Sequence, residues 1–134
     1  MDPPEAAVGV LHNVIRMCEP GGILLHLTCA PLDAAVEVDG RQFGRLDESR
    51  FLERVARTEE AVDLLIAERR LVEEASLGHD VLKHYDTGPE LIADIDERPF
   101  SHVPPALRKE LAGIEGPVIE RTACLFQRLR VLPG

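Results

Sequence analysis

Tryptophan is absent from this 134-residue chain and aromatic residues make up only 4% of it, so any core must be built from Leu, Val, Ile and Ala. No stretch approaches the roughly 18 to 20 consecutive apolar residues of a membrane-spanning helix. An excess of positive charge is also missing. The formal net charge of −9 repels phosphate backbones and anionic lipid surfaces, which disfavours nucleic-acid and membrane partners and leaves open only a local patch around Arg128 and Arg130. Three cysteines, Cys18, Cys29 and Cys124, are odd in number and widely spaced, unlike a disulfide framework or a zinc knuckle. They read as reduced core thiols. The opening "MDPPEAAVG" has acid and prolines where a signal peptide would carry basic residues, so a cytoplasmic location is expected.

What is present is an ordinary globular composition, 45% hydrophobic and 29% charged, of a length that suits a single domain over residues 1–134. Ala7, Val10, Leu11, Val14 and Ile15 recur at helical spacing, which predicts a helix from about residue 5 to 18, ended by Pro20-Gly21-Gly22. "ILLHLTC" follows, and its unbroken apolar run predicts a central strand over 22–29, covered on both faces. Asp39-Gly40 between two strand-like runs predicts a hairpin over about 35–46. Phe51, Leu52, Val55, Ala61, Val62, Leu65 and Ile66 predict a helical stretch over about 48–70, with an acidic first turn and a break near Thr58. The acids and bases of Glu68 to Glu74 read as a solvated helix face. A strand over about 72–86 comes next, then short helices in "GPELIADIDER" and "PALRKELAGI", then a long strand in "PVIERTACLFQRLRVL". Arg128 and Arg130 in that last strand read as edge charges that discourage further pairing.

The order helix, Pro-Gly-Gly turn, strand, hairpin, helix, strand, short helices and final strand, headed by "NVIRMCEPGGILLHLT", resembles the C-terminal half of class I S-adenosylmethionine-dependent methyltransferases. Arg16, Glu19, Pro20, Gly21 and Gly22 stand in the frame that leads into that family's fifth strand, and the last two strands look like its antiparallel sixth and seventh. The resemblance implies an α/β fold, a partial Rossmann-like, methyltransferase-type, three-layer sheet with antiparallel C-terminal strands. It departs from the family in one respect. No Gly-rich loop of the G-x-G-x-x-G kind stands anywhere in the chain, so no residue is assigned to cofactor binding, and S-adenosylmethionine is expected only if a complementary N-terminal half completes the fold. The alternative is a non-catalytic homodimeric interaction module. In either case the Pro-Gly-Gly turn reads as structural, its glycines serving the chain reversal.

The densest group of reactive side chains is "HDVLKHYD". On a strand, Asp80, His84 and Asp86 share one face, where a histidine and two carboxylates could act as acid and base or meet a divalent ion; the alternative is the wet side of a half-exposed strand. No metal site is assigned. His26, in mid-strand, is either a buried hydrogen-bonded imidazole or a substrate-facing group, and Thr28 and Tyr85 complete the substrate-facing candidates. The segments from Ala30 to Asp33 and from Tyr85 to Gly88 are the candidate substrate walls. Cys29 and Ser76 have no local activating base and do not read as nucleophiles.

Overall fold

In the computed structural model, which describes residues 4–133, four helices and five strands follow in the order α1 (Pro4–Met17), β1 (Ile23–Cys29), β2 (Ala35–Val38), β3 (Arg41–Arg45), α2 (Ser49–Ala67), β4 (Leu71–Tyr85), α3 (Gly88–Asp96), α4 (Pro105–Leu111) and β5 (Val118–Val131). The fold is α/β, with an open sheet of five strands. β5 pairs antiparallel with β1 and β2, and β2 with β3. β4 also pairs with β5. Glu73 meets Gln127, and Asp80 meets Arg121, so β4 runs antiparallel to β5 as well.

The chain forms two compact units: residues up to 30, 53–79 and from 124 on make the first, residues 31–52 and 80–123 the second. In the first unit Ile15 of α1 and Val62 and Leu65 of α2 bury themselves with Leu71, Leu129 and Val131. The helical periodicity of both segments supplies that apolar stripe. Ala7, read as part of it, has a side chain outside the described residues. In the second unit the β2–β3 hairpin, α3 and α4 enclose Val36, Leu46, Tyr85, Leu91, Ile95, Leu107, Leu111 and Val118.

Local chemistry sets the element ends. Asp39 and Gly40 both have positive φ, 53° and 75°, as a tight hairpin turn requires. Gly21 has a φ of +84°, whereas Gly22 is constrained differently: a Cβ there would lie 2.9 Å from the Glu19 carbonyl oxygen. Thr87 caps α3 by accepting from the Glu90 backbone N–H, with a proline in the first turn. Gly88 lets α3 and α4 approach, since a Cβ on it would fall 1.9 Å from the Leu111 carbonyl oxygen.

Six expectations are corrected. β1 is not central: β5 is its one strand partner among the described residues, and β5 holds the middle position. Nor is β1 covered on both faces, because Leu25 and Leu27 are each 59% exposed. An apolar run carries no information on which of its faces meets a neighbour. α2 is continuous through Thr58, whose hydroxyl donates back to the Arg54 carbonyl one turn earlier without interrupting the helix. Its first turn is not acidic. Asp47 and Glu48 precede it, Asp47 accepting from the Ser49 N–H and Glu48, buried, accepting from the Ala34 N–H. The charged stretch Glu68 to Glu74 is not a helix face, since α2 ends at Ala67 and Glu73 and Glu74 lie on β4; Arg128 and Arg130, on the middle strand, are not edge charges.

Candidate functional site

β1 has two unlike sides, because successive side chains alternate across a strand. Leu24, His26 and Thr28 point one way and are half-buried; Ile23, Leu25 and Leu27 point the other way and are exposed. On the half-buried side His26 Nε2 lies 2.7 Å from Glu59 Oε1 of α2. The imidazole is thus half-buried and hydrogen-bonded to a helix.

On the exposed side the ladder sets Ile23 opposite Arg130, Leu25 opposite Arg128, Leu27 opposite Phe126 and Cys29 opposite Cys124. Glu74 of β4 accepts from Arg128 Nε at 3.1 Å and from the Arg130 guanidinium. Arg130, above all, holds the Glu74 carboxyl below the usual carboxylate range. Arg130 Nη1 also donates to the Gly21 carbonyl at 2.7 Å, which fastens the Pro-Gly-Gly turn to the end of the middle strand. Val72 shares Glu74's side of β4 and is exposed. The result is a sheet face with an apolar row along β1 and a charge-paired group between the middle strand and β4.

The second unit holds a different cluster. The Tyr85 hydroxyl donates to Asp94 Oδ2, accepts from Arg98 Nη2 and lies 3.1 Å from Glu120 Oε1. Arg98 grips Glu120 with both terminal nitrogens, each at 2.8 Å, and Asp94 at 2.9 Å; Lys83 adds a bond to Asp94. Burial, with the bond to Asp94, pushes the Tyr85 hydroxyl far above its ordinary pKa. Bonds from Lys83, Tyr85 and Arg98 hold Asp94 far below its own. Tyr85 is therefore a neutral donor, and the network is saturated by its own members. Only the Asp94–Arg98 pair, four residues apart across the end of α3, lies close in the sequence; Glu120 comes from a distant strand.

Asp80, His84 and Asp86 are not gathered into one site. Asp80 pairs with Arg121 at 2.9 Å, while Arg121 also grips Glu37 at 2.7 Å. His84, four residues further along an extended strand, is about 13 Å away. Asp86 follows the strand and gives its backbone N–H to Glu90. Among the described residues, no three or more His, Cys, Asp or Glu side chains are grouped to hold a metal ion, and no helix is long and apolar enough to cross a membrane.

Comparison with protein-family models, with curated proteins and with solved structures finds no match to this chain.

Proposed function

We propose that this chain supplies one half of a class I methyltransferase-like fold, a partial Rossmann-like sheet that a complementary N-terminal half completes into its three layers. One observation carries the reading. β1, entered through the Pro-Gly-Gly turn, is paired along one edge with the antiparallel strand β5, and among the described residues its other edge and its Leu25 and Leu27 side stay open. In the resembled fold the missing half supplies the neighbour of this strand. The Gly-rich loop and the acid that hold S-adenosylmethionine would come from that half, and Ala30 to Asp33, following β1, would line the acceptor side.

Calorimetric titration tests this. The chain alone should give no S-adenosylmethionine binding, and the chain joined to the polypeptide encoded directly upstream should bind it with a micromolar Kd, about −8 kcal/mol. A joined protein that leaves the cofactor unbound, or an upstream segment with no Gly-rich loop, refutes the proposal.

A second reading, a non-catalytic homodimer, is favoured by the composition of the open face. Ile23, Leu25, Leu27, Val72 and Phe126 form an exposed apolar group. Beside it on the middle strand stand Arg128 and Arg130, paired with Glu74, so the charge of −9 lies mostly elsewhere. Two copies of an acidic protein repel least through such a face.

A further inference from the structure

Cys29 ends β1, and the register places it directly opposite Cys124 of β5. Opposed residues in an antiparallel pair have Cα atoms about 4.5 or 5.5 Å apart, with side chains on the same side of the sheet. Either spacing falls within the roughly 4.4 to 6.8 Å that a disulfide spans. Both residues are thiols in this structure and both are half-exposed. They continue the row of Leu25 and Leu27, on the side of the first unit that its helices leave open. On the far flank of Cys124 the neighbouring strand brings Gly78, and the nearest atom to a Cβ built there is the Cys124 carbonyl oxygen at 4.0 Å. No side chain at position 78 shields the thiol. Cys18, the third cysteine, packs against the helix-covered core of the same unit.

We propose that Cys29 and Cys124 form a redox-modifiable thiol pair, closed into an intrachain disulfide by a low-molecular-weight disulfide such as oxidised glutathione. One cysteine loses its proton to solvent, and its thiolate attacks a sulfur of the small disulfide; that S–S bond breaks and one glutathione leaves as a thiol. The second cysteine, deprotonated in turn, attacks the protein sulfur of the mixed disulfide, and the second glutathione leaves. The protein gives up two electrons and two protons, and oxidised glutathione becomes two thiols. Excess thiol reverses both steps. The bond would fasten the last residue of β1 to β5 and close the long loop between them.

The experiment treats the full chain with excess oxidised glutathione at about pH 8, where some ordinary cysteine is ionised, alkylates the remaining thiols, and maps peptides without reduction. The expected product links Cys29 to Cys124 within one chain and leaves Cys18 alkylated. Its Tm should exceed that of the reduced protein by about 5 °C or more, because a cross-link over a long loop restricts the unfolded chain. Dithiothreitol should abolish the increase. The Cys18→Ser variant should behave identically. Stable glutathione adducts on Cys29 or Cys124, a link through Cys18 or between chains, or alkylation of all three residues would each overturn the proposal.

Discussion

Asp94 shows how one carboxylate in a hydrogen-bonded cluster makes stability depend on pH. Lys83, Tyr85 and Arg98 all donate to it, and its folded-state pKa lies well below the ordinary value of about 3.9. A carboxyl depressed in this way binds fewer protons folded than unfolded. Its contribution is complete above the unfolded pKa, from about pH 5 upward, and is lost as the pH falls through the folded value. The urea midpoint of the wild-type chain should therefore decline between about pH 5 and pH 2, and Asp94→Asn should flatten that decline. At pH 7 the substitution should cost about 1 to 2 kcal/mol, a hydrogen bond to a charged group reduced by solvent screening. An unchanged slope in urea titrations at several pH values would locate the acid sensitivity elsewhere. Tyr85 illustrates what residue identity alone conceals. In the sequence it stands amid "HDVLKHYD" as a candidate substrate contact; in the structure its hydroxyl is hydrogen-bonded to Asp94 and Arg98.

Within single elements, alternation on β1 makes a sharper forecast. Leu24→Ala removes methyl groups packed against the first core and should destabilise by about 1 to 2 kcal/mol, whereas Leu25→Ala, at a side chain 59% exposed, should stay within about 0.5 kcal/mol. Thermal or urea denaturation of the two variants measures the contrast, and equal losses would mean that both sides of the strand are packed. The sequence was informative where the cause is local. Asp39-Gly40 announces its turn through backbone preference, the stripe of α2 announces its buried side, and Pro105 announces a helix start. It was silent where the cause is tertiary. "ILLHLTC" reads identically as a central strand and as an outer one, since hydrophobicity records that a side chain avoids water and not which neighbour covers it. The clustering of Glu120 with Arg98 and Tyr85 likewise depends on pairings between distant segments. Cys29 and Cys124 looked like separate core thiols until the register set them opposite each other.

For the molecule as a whole, association separates the two functional readings. If a second copy covers the open face, sedimentation equilibrium at micromolar concentration should show a dimer burying on the order of 1,200 Å² or more in total. The double change Leu25→Asp and Leu27→Asp should then return it to monomer. Salt favours the dimer by screening the net charge beyond about 8 Å. A wild-type monomer would exclude the homodimer and leave the open face to the complementary half. The placement of β5 has one more consequence, which concerns the order of events during synthesis. Among the described residues, every strand except β3 pairs with β5, which follows all its partners in the chain. A chain emerging from the ribosome can close the β2–β3 hairpin early, but β1, β2 and β4 must wait for residues 118–131 before they gain the partner that joins them. Their pairing then spans much of the sequence, an arrangement that slows folding. Until those residues emerge, the leucines of β1 are without their sheet, and the growing chain is exposed to aggregation over that interval.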